Sequence, residues 1–273
     1  MIRDITIGQY YPADSVIHKL DPRVKLAGTL LFIISLFLFS SFTGYIIAAI
    51  FLFSIIFLSK VPVKFILRGL KSIFVLLFLT VFFNLVLTPG KVVLELPGPF
   101  QITMEGIRLS TFMAIRLVFL IMGSSVMTLT TTPNQLTDGL EKGLAPLKKL
   151  GVPVHEISMM MSIALRFIPI LLEETDKIMK AQEARGADFK SGNIIQRAKS
   201  MIPILVPLFV SAFRRANDLA LAMEARCYNG GEGRTKMKPL KYTCRDRVAY
   251  LITIIYLMIL IGVNILAKKY LPF

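Results

Sequence analysis

Thirty-four consecutive residues, Leu26 to Ser59, carry no charge, and a second run of 20, Val248 to Ala267, is also uncharged. About 20 apolar residues suffice to cross the hydrocarbon core of a bilayer, so both runs are long enough to span. Composition agrees. Hydrophobic residues make up 55% of the 273 positions and charged residues 18%, against about 25% charge in an ordinary soluble domain. These features predict an all-α, polytopic membrane protein. The net charge of +15 belongs to Lys- and Arg-rich cytoplasmic segments that meet anionic lipid, so no nucleic-acid partner is expected.

The breaks predict five spans. The first covers about Val24 to Ser41 and the second about Tyr45 to Lys60, punctuated by Ser40-Ser41-Phe42-Thr43-Gly44. Their shared uncharged run is short for two crossings, which calls for snorkelling by Lys25 and Lys60 or for a locally thinned bilayer. A single bent helix is the competing reading. Val61-Pro62 opens a turn, Phe65 to Leu87 forms the third span, and Thr88-Pro89-Gly90 ends it. A loop over 91–103, with Pro97, Gly98 and Pro99, leads to a fourth span at about Glu105 to Thr130 that carries Arg116. The last span is Val248 to Ala267. Lys60, Lys64, Arg68 and Lys71 crowd one turn without an acid, which places that turn, and with it the N-terminus, in the cytoplasm. No short apolar core precedes a small-residue cleavage site, so the first apolar stretch is read as a retained helix.

Organisation then reads as an N-terminal arm (1–24), four spans (25–132), a cytoplasmic helical region (133–247) and a last span with the C-terminus (248–273). Residues 133–247 hold 19 Lys or Arg against 12 Asp or Glu. Their apolar patches, Ile157–Phe167 and Met201–Phe213, are too short to span and are interrupted by Arg166, Pro203 and Pro207. Three helices are predicted there, over about 134–149, 153–186 and 192–228, with a kink at Pro169. Cys227 and Cys244 match no metal motif and are expected to stay reduced.

An internal repeat stands out. Ala181-Gln182-Glu183-Ala184-Arg185-Gly186 recurs as Ala222-Met223-Glu224-Ala225-Arg226-Cys227. Gly186 suits the left-handed position after a helix C-terminus. Cysteine enters that conformation less readily, so the second helix is expected to continue to Tyr228 before Asn229-Gly230-Gly231 ends it. Each arginine sits where positive charge complements the last carbonyls. One reading is that they cap their own helices or pair with Glu183 and Glu224. The other is that two matched helix ends serve two similar partners, for which the guanidinium fork is well shaped.

At these residues the chain resembles a known family. Gly8-x-Tyr10-x-Pro12-x-Asp14-Ser15-x-x-His18-x-Leu20-Asp21-Pro22-Arg23-x-Lys25 and the two Ala-Arg-Gly/Cys triplets resemble the EcfT family, the transmembrane components of energy-coupling factor transporters, related to the CbiQ proteins of cobalt importers. The resemblance implies a bacterial or archaeal cell-membrane protein without catalytic activity. It implies two ABC ATPase partners of the EcfA and EcfA' type, which bind the ATP, so that this chain needs no cofactor. Ala184, Arg185, Gly186, Ala225, Arg226 and Cys227 would be the ATPase-coupling residues. A separate membrane-embedded S component would carry a vitamin or other micronutrient. Met159, Met160 and Met161, with Pro203 and Pro207 in the second apolar patch, are candidates for the face that meets that S component; the competing reading is that the methionines are ordinary core filling. The N-terminal signature leans toward a module shared by several S components over a dedicated cobalt or nickel system.

Other chemistry finds little support. His18 and His155 lack metal-ligand spacing; His18 is expected to make a structural hydrogen bond and His155 to start a helix. Glu173-Glu174 has the paired acids of CAAX-type intramembrane proteases but Ile178 where they need arginine. No phosphate-binding G-x-x-x-x-G-K-[ST] loop occurs, and Gly230-Gly231-Glu232-Gly233 reads as a connector. No span has the repeated acids of an ion relay, which disfavours a self-contained secondary transporter.

Overall fold

The structure is a computed structural model that describes residues 10–39, 41–95, 101–187, 189, 193–231, 237 and 239–270. Gly8, Ser40, Pro97, Gly98, Pro99, Glu232 and Gly233, all singled out above, lie outside the described residues. The chain divides into two compact units, one running to Gly139 and resuming at Leu240, the other covering Leu140–Pro239.

The first unit is a bundle. Helix α1 spans Pro22–Leu38, with proline at its first position and the Asp21 carboxylate accepting from the Arg23 backbone N–H at 2.9 Å. This is the arrangement proline and aspartate favour at a helix start. Helix α2 is Phe42–Ser59 and ends on Lys60 in the left-handed region, φ 55°. The competing single bent helix is thereby replaced by two helices. Helix α3, Val63–Leu87, follows Pro62 and bends by 61° between Lys71 and Ile73.

The segment predicted as a loop contains a short antiparallel hairpin, β1 (Val92–Glu95) with β2 (Gln101–Thr103). Its alternation is too brief to stand out in sequence. The Thr103 hydroxyl then accepts from the Gly106 N–H at 3.0 Å and starts α4, Met104–Thr130. The last helix of this unit, α8, is Cys244–Tyr270.

The core is built from one face each of α1, α2, α4 and α8: Phe32, Leu36, Ala48, Leu52, Val126, Tyr256 and Leu260 are all buried. The Tyr256 ring stacks on Phe51 at 4.1 Å between centroids, and its hydroxyl meets the Ser35 hydroxyl at 2.8 Å. The outward faces are as apolar as the inner ones. Phe57 is 86% exposed, and Phe74, Val75, Phe78, Phe83, Leu251 and Met258 are exposed too. A soluble protein does not leave a contiguous apolar surface of this kind to water.

Among the described residues, four helices are long and apolar enough to cross a membrane: α2, α4, α8 and, in the second unit, α6 (Val154–Ala184); α3 is a fifth if its two arms count as one span. The set differs from the sequence expectation at two places. At 17 residues, α1 is about 26 Å long, just short of a hydrocarbon core of about 30 Å. Conversely, α6 runs unbroken through Pro169, so its apolar stretch extends past Phe167. Its apolar stretch is nonetheless the least hydrophobic of the four.

The second unit also contains the end of α5 (Pro133–Gly143), a 3-10 turn at Ala145–Leu150, and α7, Ile194–Glu224. The predicted helix 134–149 therefore stops early, at Gly143, and Pro146 belongs to the tighter turn. An Asn193–Gln196 capping box starts α7, a feature that satisfies two of the free donors at a helix start.

Candidate functional site

Helices α6 and α7 pack antiparallel. Gln182 of α6 meets Pro203 of α7, Glu174 meets Arg215, and Met159 and Ile163 share a cleft with Leu219 and Met223. As the numbering falls along one helix it rises along the other. The two C-termini therefore lie at opposite ends of the pair, on the order of 40 Å apart at 1.5 Å per residue.

Both ends are closed by the same hydrogen-bond pattern. At the first, the Gly186 N–H donates to the Glu183 carbonyl at 3.0 Å and the Ala187 N–H reaches back to Gln182 at 3.0 Å. At the second, the Cys227 N–H donates to Glu224 at 2.8 Å and the Tyr228 N–H to Met223 at 3.1 Å. Each is a Schellman motif, with its left-handed residue at Gly186 (φ 87°) and Cys227 (φ 56°). The expectation that α7 continues to Tyr228 is corrected: the helix ends at Glu224, and cysteine takes the strained conformation itself. The two closing bonds hold it there against a left-handed cost of about 1–2 kcal/mol.

Arg185 and Arg226 thus sit in equivalent places, immediately before the left-handed residue, and both are exposed. Among the described residues neither forms an ion pair with Glu183 or Glu224. The duplicated sequence is a duplicated conformation that presents two exposed arginines. Ala184 ends α6, and Ala225 caps α7.

Pro203 and Pro207 lie inside α7 one turn apart. Pro207 has no N–H to offer the carbonyl four residues back. Gln182, from the first repeat, donates its side-chain amide to that carbonyl, Pro203 O, at 3.5 Å. Glu174 accepts from Arg215 at 3.2 Å and from Ser211. The paired acids Glu173-Glu174 are accounted for, at Glu174, by this interhelical contact.

The methionine triplet divides. Met159 turns into the cleft of about 380 Å³ lined also by Met223, Arg226 and Cys227, whereas Met160 and Met161 are exposed. On α7, Ile204 is buried, while Met201, Ile202, Leu205, Val206, Phe209, Val210 and Phe213 are more than half exposed. Pro203 and Pro207 are exposed among them. His155 lies in the first turn of α6, as expected, and its Nδ1 meets Glu141 at 3.2 Å; the Ser158 hydroxyl donates to the same carboxylate at 2.9 Å. Gly231 packs directly on the His155 ring, leaving no room for a Cβ.

The N-terminal signature forms a clasp in the first unit. Tyr11 N–H donates to Leu129 O at 2.9 Å. His18 N–H donates to the Ser15 hydroxyl at 3.2 Å; Tyr11 O can only accept, so Nε2–H donates to it at 3.0 Å, and in the neutral ring Nδ1 then accepts the Ser15 hydroxyl proton at 2.7 Å. The structural role expected of His18 is met by a neutral imidazole, and burial pushes its pKa down from 6.5. Arg23 forks onto Asp21 at 2.9 and 3.0 Å and lies 4.0 Å over the Tyr242 ring. Lys25 does not snorkel: it is buried and donates to His18 O at 3.1 Å and Thr130 O at 2.8 Å. Sequence reasoning missed Asp246, which is 1% exposed. It accepts from the Asp21 N–H and from both donors of Thr243. The only signal was an acid isolated between Arg245 and Arg247.

Arg116, carried within α4, donates to Phe39 O just past the end of α1 at 3.3 Å and lies 5.2 Å over the Phe37 ring.

These features define a multi-pass, almost wholly helical membrane protein whose chain includes a separate pair of long helices with matched, arginine-bearing ends. The model of the cobalt transport protein family, CbiQ, matches residues 13–237. The energy-coupling factor transporter transmembrane protein EcfT of Clostridium kluyveri is 56% identical over 269 residues, covering 98% of each chain. The protein of the same name from Thermosediminibacter oceani is 55% identical over 252 residues, 92% of this chain and 95% of the relative. That of Bacillus subtilis is 47% identical over 247 residues, 90% and 93% of the two chains. The chain belongs to the EcfT/CbiQ family, the transmembrane components of energy-coupling factor transporters.

Proposed function

We propose that this chain couples two ABC ATPases to a membrane-embedded S component in an importer of vitamins or other micronutrients, without catalysing a reaction itself. The observation that supports this most directly is the pair of identical Schellman ends at opposite ends of an antiparallel helix pair, each presenting an exposed arginine. One ATPase would dock at Arg185 and the other at Arg226, each guanidinium engaging carboxylate or carbonyl oxygens in a groove of its partner. Nucleotide-driven closure of the ATPases would shift the two ends relative to each other. Because α6 and α7 are joined along their length by Glu174–Arg215 and Gln182–Pro203, the shift passes into the whole pair. The exposed apolar face of α7 from Met201 to Phe213 would carry it to the S component, with Met160 and Met161 contributing an adaptable surface.

In this reading the N-terminal arm and the region 133–247 lie on the cytoplasmic side, where the Lys60–Lys71 cluster also falls. The low hydropathy of α6 and the charges from Glu173 to Arg185 suit a helix whose C-terminal half meets water and protein. ATP binds the partners, and no cofactor is assigned to this chain.

Co-purification of the tagged chain from membranes, with and without Arg185→Ala/Arg226→Ala, tests the proposal. Wild type should bring down two ATPases, and the double variant should lose both while inserting and melting as wild type does. Retention of both ATPases by the double variant would sink the anchor assignment. Wild type purifying alone from several mild detergents would sink the coupling role.

A further inference from the structure

The first unit encloses a cavity of about 160 Å³ between α1, α2, α4 and α8. Its walls include the buried side chains of Phe32, Leu52 and Val126, and its rim includes Leu58 and Ile252, which are 48% and 51% exposed on the outer faces of α2 and α8. Leu58 near the end of α2 and Ile252 near the start of α8 both line the cavity and are half exposed, so it opens between them onto the apolar outer surface of the bundle.

The cavity has little to offer water. Lys25 is in its lining, but two of its three ammonium protons are held by the His18 and Thr130 carbonyls. The hydroxyls of Thr130 and Thr253 donate within their own helices, to Val126 O and Ala249 O. Thr29 is the one further hydroxyl in the lining. A stable buried water needs two to four polar partners, and an apolar void of about 150 Å³ stays dry and accepts a benzene-sized guest. We propose that this cavity is a lipid site, occupied by the acyl chain of a membrane phospholipid that enters between Leu58 and Ile252. The chain completes the packing between α2 and α8 that their own side chains leave open. Gly28 keeps the space available: a Cβ there would meet only the Thr253 hydroxyl, at 4.0 Å.

The test is photolabelling of the full-length chain in phosphatidylcholine–phosphatidylglycerol vesicles doped with a phospholipid carrying a diazirine in one acyl chain, with adducts mapped by mass spectrometry. Adducts are expected on the buried residues Phe32, Leu52 and Val126 as well as on the lipid-facing Phe57. Gly28→Leu, which fills the cavity, should abolish the buried adducts and leave those on Phe57. Thr253→Met fills it from α8 and decides the matter if the first variant does not fold. Wild-type adducts confined to exposed residues such as Phe57 would overturn the proposal, as would buried adducts undiminished in a folded filling variant.

Discussion

The backbone N–H of Asp21 donates to the Asp246 carboxylate at 2.8 Å across 225 positions of sequence. This bond ties the start of α1 to the start of α8. The other carboxylate oxygen of Asp246 accepts from Thr243 N–H and Oγ1, both at 2.7 Å, so one buried side chain organises two helix starts. Asp246→Ala would leave buried donors unpaired and should cost about 3 kcal/mol, at roughly 1–3 kcal/mol per unsatisfied group. Asp246→Asn keeps an acceptor and should cost clearly less. Thermal unfolding in detergent checks the order; equal losses would show that packing, not the hydrogen bonds, holds the clasp.

Cys227 bears a left-handed conformation that Gly186 adopts freely at the equivalent place. Cys227→Gly should therefore firm the end of α7 by about 1 kcal/mol, and Gly186→Ala should loosen the end of α6 by a similar amount. Amide exchange at Tyr228 and Ala187, whose N–H groups close the two motifs, reads each effect separately. Slower exchange at Tyr228 in Cys227→Gly is the expected outcome, and faster exchange contradicts it.

Gln182 and Pro207 should be coupled through a carbonyl neither owns. Pro207→Ala restores an N–H to the Pro203 carbonyl, after which Gln182 has nothing to satisfy. Gln182→Ala should then cost about 0.5–1 kcal/mol in the wild-type background and almost nothing beside Pro207→Ala. Additive losses in that double-mutant cycle would show that the contact is incidental.

His18 makes the arm sensitive to acid. Its pKa is lowered in the docked arm, chiefly by burial, so the undocked arm binds the proton more readily. The contribution of His18 to docking is complete above the ordinary value of 6.5 and is lost as pH falls below it towards the lowered folded value. Amide exchange or proteolysis over residues 11–20 should accelerate on acidification through this window in wild type. In His18→Gln the pH dependence should vanish; its persistence would assign it to another group.

Much of the architecture is legible from residue order because its causes are local or set by the solvent. An uncharged run long enough for a bilayer, a proline after an aspartate at 21–22, and glycine after Ala-Arg at 186 each determine an element or its end without reference to distant chain. The lysine cluster and the repeat register are of the same kind. Tertiary structure decided what depends on a partner far away in sequence. Lys25 is a buried donor because two carbonyls converge on it, and its charge alone suggested snorkelling. Asp246 became a hub because the N–H of Asp21 arrives beside it. Cys227 takes a conformation that its own side chain disfavours because two backbone hydrogen bonds close around it. The antiparallel packing of α6 and α7, which sets the arginines at opposite ends, follows from side-chain complementarity between helices, and no periodicity within either helix encodes it.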